Sequence, residues 1–270
     1  MTAVAMPSPV RIGLSRGSLE LKAFFREREA VVFSLGMPVI LLLIFGTIFK
    51  GEVGHTGVDF RQYFAAGIIA SGIMSTTFVS LGVAIAQERD DGTLKRLYGT
   101  PMPKAAYFIG KTIAALVLSA LETVLLFALG HLLFGLKPPS TPERWLTFAW
   151  VFVGGVTVCT LLGIAISSVP RSGRSAAAVL NVPYLVLQFI SGVYFTFGDL
   201  PSGVRQAGAL FPLKWISQGL RSALLPDTLL AAEPAHAWEH GRTALVLAAW
   251  GVAGLVLCLT TFRWKRRRDG

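Results

Sequence analysis

Apolar runs alternate with short charged gaps along almost the whole chain. Six of the runs are about 20 residues long, the length that an α-helix needs to cross a hydrocarbon core of about 30 Å. This pattern predicts an all-α integral membrane protein, with a six-span transmembrane domain over residues 31–262. The predicted spans are Val31–Phe49, Tyr63–Ala86, Thr112–Phe134, Trp145–Ser168, Ala176–Phe197 and Thr243–Phe262.

An amphipathic segment precedes the first span. Between Ser18 and Glu29, three large apolar residues fall on one side of a helix, and charged residues fill the rest. Ser18 is a residue type that caps helix N-termini. We therefore expect residues 1–30 to form a cytosolic lead-in, weakly patterned up to residue 17, followed by a helix in the membrane interface. A solvated charged helix is the alternative, but it would expose the apolar stripe. The residues assigned to this helix are Leu21, Phe24, Phe25 and Arg26.

The gap between the second and third spans, Gln87–Pro101, is the most charged interruption of the apolar pattern. Within it, Leu94, Leu97 and Tyr98 have the spacing of one helix edge, and Gly99 and Pro101 are suited to ending a helix. A short helix with an apolar edge and a charged remainder, held just outside a membrane, is suited to docking on another protein.

The connection between the last two spans, residues 198–242, is too apolar for a simple solvated loop. Leu210–Ile216 holds several large apolar residues, so we expect short or re-entrant helices here, with Trp215 at the level of the lipid headgroups. The later part of this connection is rich in Ala, Glu and Pro and is expected to be exposed.

The composition supports a membrane protein, and the placement of charge orients it. Hydrophobic residues make up 53% of the 270 residues and charged residues 15%, against about 25% charged in soluble domains. With a cytosolic N-terminus, 17 of the 25 Lys and Arg residues lie on the inside, including the basic tail at 263–270. We therefore expect both termini in the cytosol. The net charge of +10 reflects this topology rather than nucleic-acid binding.

No catalytic or metal-binding motif emerges from the chain. The tripeptide Gly110-Lys111-Thr112 is like the end of a phosphate-binding loop, but the position of that motif's first glycine is Ala105. We therefore interpret Lys111 as a snorkelling anchor at the end of a span. The pair His236 and His240 has no third ligand to complete a metal site, and the two cysteines are expected to be small buried hydrophobes.

Polar residues inside the spans leave two interpretations open. Glu122 lies near the middle of the third span, where an ionised acid is unfavourable by about 2.5–3.5 kcal/mol, so it should face protein or water. It could be a proton-linked or cation-attracting group on a transport path, or a hydrogen-bonded acid between helices. Asn181 and Gln188 of the fifth span could likewise line a path or only pack helices together.

The gap after the second span also carries a family resemblance. Glu88-Arg89-Asp90-Asp91-Gly92-Thr93-Leu94-Lys95-Arg96-Leu97, with Thr100-Pro101, resembles the Glu-Arg-Glu-x-Gly-Thr-Leu-Glu pattern and following Thr-Pro of ABC-2 type exporter permeases, except that Asp90 and Lys95 stand where the pattern has Glu. These permeases also resemble the membrane half of G-type ABC transporters. Further matching segments are Gly110-Lys111, Leu200-Pro201, Phe211-Pro212-Leu213, Arg221 and Phe262-Arg263-Trp264.

The resemblance implies roles for the gap after the second span, for the amphipathic segment and for the spans that line the route. The gap after the second span would hold a coupling helix that seats in a cytosolic ATPase subunit, and the amphipathic segment would be the connecting helix. The coupling residues would be Glu88, Arg89, Asp90, Gly92, Thr93, Leu94, Arg96, Leu97 and Tyr98, with Leu94, Leu97 and Tyr98 as the docking edge. The second and fifth spans of two permease chains would line the route, with Phe78, Glu122, Asn181, Gln188, Phe189 and Tyr194 as its candidate residues.

The same resemblance implies partners and a mechanism. This chain lacks a phosphate-binding loop, so Mg-ATP would be bound and hydrolysed by separate ATPase subunits, and a second copy or a paralogue would complete the permease pair. We expect a bacterial plasma-membrane exporter that moves a drug-like or amphipathic molecule or a lipid by alternating access. Export of a polysaccharide or lipid-linked glycan, an ion-coupled secondary transporter and a scaffold without transport remain alternatives.

Overall fold

The chain folds into helices whose bounds follow the apolar runs closely. The structure, a computed structural model, describes residues 8–262 and residue 264. A π-helical segment, Ser75–Ser80, joins α3 and α4 into one continuous helix, Phe60–Asp90. The helices are α1 Pro9–Arg26, α2 Arg28–Ile48, α3 Phe60–Met74, α4 Leu81–Asp90, α5 Thr93–Tyr98, α6 Lys104–Phe134, α7 Pro142–Ile166, α8 Gly173–Ile190, α9 Ser202–Ala209, α10 Pro212–Leu224 and α11 His240–Thr261.

Within the described residues, five helices are long and apolar enough to cross a membrane: Val31–Ile48, Phe60–Asp90, Lys104–Phe134, Pro142–Ile166 and His240–Thr261. Each coincides with a predicted span. The sixth predicted span is not among them, because α8, although 18 residues long, includes Arg174, Asn181 and Gln188 and is therefore less apolar; it also ends at Ile190 rather than at Phe197. The all-helical membrane architecture is thus confirmed, while the count of six spans stays a prediction.

The continuous helix α3–α4 is the centre of the bundle. Its residues 63–74 are all buried, and α2, α6, α7, α8 and α10 pack around it. Small residues allow close approach: a Cβ on Gly163 of α7 would lie 2.7 Å from the carbonyl oxygen of Thr77. The π-helical turn lies at this contact, where the backbone of α3–α4 departs from regular α-helical bonding.

The helix α8 runs antiparallel to α3–α4 along most of its length. Its first residue, Gly173, lies beside Gln87, and Leu180 contacts Gly82. Near its other end, the Gln188 side chain accepts a hydrogen bond from Ser71 at 2.9 Å. The two helices therefore traverse the same layer of the bundle.

The N-terminal helix α1 begins earlier than its sequence pattern predicts. Its N-cap is Ser8, whose hydroxyl accepts from the backbone N–H of Arg11 at 3.3 Å, so the predicted cap at Ser18 is wrong. Ser18 lies inside the helix and donates to the carbonyl of Ser15. Residues 9–17 are therefore helical rather than an unpatterned lead-in, while residues 1–7 lie outside the described part of the chain.

Two glycines hold α1 against the start of α6. A Cβ on Gly13 would lie 2.5 Å from Ile109 Cγ2, and one on Gly17 would lie 3.2 Å from the carbonyl oxygen of Gly110. The Gly13-x-x-x-Gly17 spacing thus forms a small-residue face that lets the two backbones approach, as in tight membrane helix pairs. Of the predicted interfacial stripe, Leu21 and Phe24 are half-buried, while Phe25 and Arg26 are exposed.

The connection between α8 and α11 folds back into the bundle. Every residue of α10 is buried. Trp215 is buried too and donates its indole N–H to the carbonyl of Ala209 at 2.8 Å, so it packs against protein, while its depth at the level of the lipid headgroups stays a prediction. Arg221 is buried as well, donating to the carbonyl of Gly192 at 2.6 Å and stacking on Tyr63 with its guanidinium 3.5 Å from the ring centre. This end of the bundle is therefore capped by packed protein.

A buried acid lies near the same cap. Glu233 follows the short helical turn Asp227–Ala232 and is buried. Burial raises the pKa of its carboxyl group, and the positive charges of Arg221 and Lys214 act in the opposite direction. The histidines of this segment make local bonds, His236 to the carbonyl of Leu230 and His240 to the hydroxyl of Ser222, and no metal-binding group of three His, Cys, Asp or Glu occurs among the described residues.

Candidate coupling site

The chain reverses between α4 and α5 at a glycine that the turn requires. Gly92 has φ +81°, in the left-handed region that favours glycine. The Asp91 carboxylate then accepts the backbone N–H of Thr93 at 2.8 Å and so caps the start of α5. The six-residue helix α5 is therefore set at the end of α4 by local chemistry, at the position where the sequence predicts a short helix.

The predicted docking edge of α5 is divided between the inside and the surface. Leu94 is fully buried in a cluster with Leu81, Ile85 and Tyr107, so it is unavailable to a partner in this conformation. Leu97 is half-buried and Tyr98 is 47% exposed. The outward face of α5 thus consists of Lys95, Arg96 and Tyr98 rather than of an apolar edge.

A cluster of charged and polar side chains connects the helices α1, α4 and α6 near α5. Lys111 of α6 donates to Glu88 of α4 at 2.6 Å and to Glu20 of α1 at 2.8 Å. Arg16 pairs with Glu20 at 3.0 Å, and Tyr107 donates its hydroxyl to Glu88 at 2.7 Å. We call these five residues the charge cluster. It joins three helices that are distant in sequence at the point where α5 begins.

Lys111 is the centre of the charge cluster, not a snorkelling anchor. Its side chain is 3% exposed, whereas those of Glu20 and Glu88 are 19% exposed. A buried ammonium group requires compensation by charged partners, and leaving it unpaired costs several kcal/mol. The interpretation of Lys111 as a lysine extended towards water is therefore wrong, because its two carboxylate partners hold it inside the protein.

Arg89 fixes the end of α4 to another helix. It is buried and donates to the carbonyl of Ser167, the residue that follows α7. Asp90 is half-buried, and its Cβ lies 3.4 Å from the position that a Cβ on Gly173 would take. The end of α4 therefore contacts α1 and α6 through Glu88, and the α7–α8 connection through Arg89 and Asp90.

A cleft opens beside the last turn of α5. It has a volume of about 350 Å³, and its walls come from α5, from the turn at Thr100–Met102 and from the C-terminal Trp264. Lys104 lies over the ring of Tyr98, 5.0 Å from its centre. The Trp264 ring also contacts Tyr107, with ring centres 5.5 Å apart.

The predicted path residues do not form one lining. Phe78, Glu122, Gln188 and Tyr194 are buried within this single chain, whereas Phe189 lies on the open face of α8, and Asn181, half-buried, bonds only to its own helix at the carbonyl of Ala177. Glu122 lies against Gly72 and accepts from the hydroxyl of Thr76. Close by, Ser71 bonds to Tyr184 at 2.8 Å. The polar residues of the spans thus bond to one another between helices.

Sequence reasoning missed several members of the site. Arg16 and Glu20 lie one helical turn apart on α1, and Gly13 and Gly17 mark the face that packs on α6, which is a small-residue signal readable from the sequence. Tyr107 carries no local signal, and Trp264 belongs to a segment that resembles the family, but the contacts of both come from residues far away along the chain. Residues 263 and 265–270 of the predicted basic tail lie outside the described residues.

Comparison with known proteins places this chain among transport proteins. The sequence profile described as ABC-2 type transporter matches residues 18–225. A Bacillus subtilis protein named as a transport permease, YvfS, is 24% identical over 197 residues, covering 72% of this chain and 77% of the relative. An Escherichia coli protein named as a multidrug ABC transporter permease, YbhR, is 20% identical over 176 residues, and the chain spans only 47% of its length.

Proposed function

Because this chain belongs to the ABC-2 type transporter family, we propose that it is the membrane subunit of an ATP-driven exporter that moves an amphipathic small molecule or a lipid outward. Membership of this family makes the chain a transport subunit rather than a catalytic one. In our proposal, Mg-ATP binds and is hydrolysed on separate cytosolic ATPase subunits, and a second permease chain completes the transporter.

The charge cluster is the observation that carries this proposal. It lies where α5 leaves α4, and it links α4 to α1 through Glu20 and to α6 through Lys111. A force applied to α5 is therefore transmitted to three helices through short ionic contacts in a partly dry environment, where such contacts are stronger than in water. This arrangement suits a lever that converts movement of a cytosolic ATPase into movement of membrane helices.

The surface of α5 that we propose as the docking face is not an apolar edge. Lys95, Arg96 and Tyr98 are exposed, and Leu97 is partly so, while Leu94 anchors α5 from beneath. We propose that the ATPase contacts the exposed residues and that Leu94 transmits the movement inward through the cluster with Ile85 and Tyr107.

The topology that we propose has six spans with α5 in the cytosol. The helix α8, of 18 residues, is about 27 Å long, and it runs beside α3–α4 from Gln87 to Ser71. Counting it as a span puts both termini on the side that carries most of the Lys and Arg residues. The segment from α9 to α10 then forms the outer cap.

The transport route that we propose runs along the open face of α8. Val182, Val186 and Phe189 are exposed on this helix, whereas the polar residues Glu122 and Gln188 are enclosed within the chain. Alternating access would then arise when two permease chains rock against each other at α8, driven through α5.

The proposal is tested by co-expressing the chain with the P-loop ATPase that we expect the neighbouring gene to encode and measuring ATP-dependent efflux of a fluorescent amphipathic dye from dye-loaded cells. The double substitution Arg96→Glu and Tyr98→Ala should reduce efflux at least tenfold while leaving membrane insertion intact. Trp145→Ala, at an exposed tryptophan outside α5, serves as the matched control. Leu94→Asp is unsuitable because it would disrupt the buried cluster itself.

Two results would count against the proposal. The first is a failure of the ATPase to copurify with the unmodified chain. The second is equal efflux by the double variant and the Trp145→Ala control.

A further inference from the structure

The C-terminal end of α11 packs against the coupling region. Phe262 stacks edge-on against Phe108 of α6, with ring centres 4.8 Å apart, and Trp264 contacts Phe108 and Tyr98 at 5.9 and 6.0 Å. The last described residue of the chain is therefore in direct contact with the coupling helix α5 at Tyr98. This contact comes from the end of α11, which lies outside the segment Glu88–Pro101 that resembles the family's coupling pattern.

The cleft beside α5 is lined by both segments. Leu97, Tyr98, Thr100, Pro101, Met102 and Lys104 line it together with Trp264. Its volume of about 350 Å³ accommodates a large side chain. Pockets of this kind are where anchoring aromatic or aliphatic residues of a partner concentrate binding energy.

Among the described residues, the charge beside the cleft is basic. Lys104 lines the cleft, and Lys95 and Arg96 are exposed on the adjoining surface of α5. The sequence has no Asp or Glu between Gly92 and Leu121. A basic rim beside the cleft is complementary to a side chain surrounded by carboxylates.

We infer that Trp264 and the end of α11 form the second wall of the ATPase docking site, and that the cleft takes a large side chain from an acidic surface of the ATPase. This inference rests on the proposed function. It adds that coupling uses two chain segments, α5 and the C-terminus, so that the ATPase also contacts the last span, α11. The basic rim selects an ATPase with an acidic contact surface.

Photo-crosslinking tests the second wall. The photoreactive amino acid p-benzoylphenylalanine replaces Tyr98, Trp264 or Trp145 in full-length chains that are co-expressed with the P-loop ATPase that we propose as partner, and membranes are irradiated. We expect ATPase adducts from positions 98 and 264, at least tenfold above the yield from position 145, where an exposed tryptophan lies at the start of α7.

The outcomes separate this inference from the proposed function. Adducts from 98 without adducts from 264, or only lipid adducts from 264, would overturn the two-walled site and leave the proposed function standing. If neither position yields ATPase adducts, the proposed function fails with it.

Charge reversal tests the rim. Lys104→Glu should lower the amount of ATPase that copurifies at least tenfold, and the loss should shrink at high salt, where charge contacts are screened. Lys137→Glu is the matched control, since Lys137 is exposed in the connection after α6, at the other end of that helix. Equal copurification by the two variants would contradict an acidic occupant.

Discussion

Lys111 shows at the scale of one residue how this protein places charge. The side chain is enclosed, yet two glutamates from α1 and α4 reach it within 2.8 Å. In a dry setting, an ion pair contributes less to stability than its Coulomb energy suggests, but breaking it by removing one partner is strongly destabilising. The cluster therefore specifies which helices meet, because another arrangement would leave a buried charge unpaired.

Removing the central cation alone should destabilise the protein more than neutralising it together with its two carboxylate partners. We expect Lys111→Met to cost about 3 kcal/mol, the lower end of the range for a broken buried pair, since Glu20 and Glu88 keep some contact with water. The triple variant Glu20→Gln, Glu88→Gln and Lys111→Met should recover part of this loss, because Arg16 then keeps its charge without the Glu20 carboxylate. Thermal unfolding of the detergent-solubilised protein measures both, and a Lys111→Met variant as stable as the parent would refute the buried pair.

Glu122 is the residue for which two interpretations stayed open. One of its oxygens accepts from Thr76, the other has no hydrogen-bond partner, and no Lys or Arg of the described residues lies within ion-pair distance. Its surroundings, Gly72 and Leu126, are those of a packed contact between α3 and α6. The geometry favours a hydrogen-bonded group between helices.

Substitutions at Glu122 distinguish a role in helix packing from a role in transport chemistry. Glu122→Gln keeps the shape and the acceptor for Thr76, so we expect transport and thermal stability close to those of the parent. Glu122→Ala removes the acceptor and leaves a void, which should cost about 2–4 kcal/mol. Loss of transport in a Glu122→Gln variant that still folds would instead identify the acid as part of the transport chemistry.

At the scale of elements, the sequence predicts the long helices well because their signal is local. Each apolar run contains the residues that make the helix insert, so α2, α6, α7 and α11 begin and end within a few residues of their predicted bounds, apart from the earlier start of α6 at Lys104. The start of α1 was missed because Gly13 and Gly17 add nothing to an apolar pattern. Their role depends on Ile109 and Gly110, which lie more than ninety residues away.

The site was predictable only where its contacts are local. Gly92 and the bounds of α5 could be read from the sequence, whereas Leu94 was assigned to the surface because its buried neighbours come from α4 and α6. The charge cluster could not be assembled in advance, since Lys111 bonds to residues 91 and 23 positions away. Periodicity shows which side of a helix is apolar, but not which neighbour covers it.

The crossing of α1 and α6 gives a prediction at this scale. Gly13→Ala places a methyl group 2.5 Å from Ile109 and should force the helices apart, at a cost of about 1–3 kcal/mol. Gly36→Ala in α2, where the nearest atom would be 3.9 Å away, is the control and should be neutral or slightly stabilising. Thermal unfolding compares the two, and equal midpoints would contradict a close crossing.

At the scale of the molecule, one end of the helix bundle is open and the other is closed by packed side chains. One end carries α5, the charge cluster and an open cleft, while the other is filled by the buried helix α10 and the stacked pair Arg221 and Tyr63. An exporter driven from the cytosol needs a contact surface at one end and a closed gate at the other. In our proposal, the end with α5 faces the cytosol, which is the orientation that the distribution of basic residues predicts.

The span count decides this orientation, because α8 must cross the membrane for α10 to lie opposite α5. In a chain whose Cys159 and Cys258 are replaced by Ser, single cysteines at Arg171 and Asp199 flank α8 at exposed positions. We expect a membrane-impermeant thiol reagent to label position 199 in intact cells and position 171 only after permeabilisation. Cysteines at Lys137 and Lys95 calibrate the outside and the inside. If positions 171 and 199 react from the same side, α8 does not cross the membrane. The end of the bundle that α10 fills would then face the cytosol together with α5, and it could not act as an outward gate.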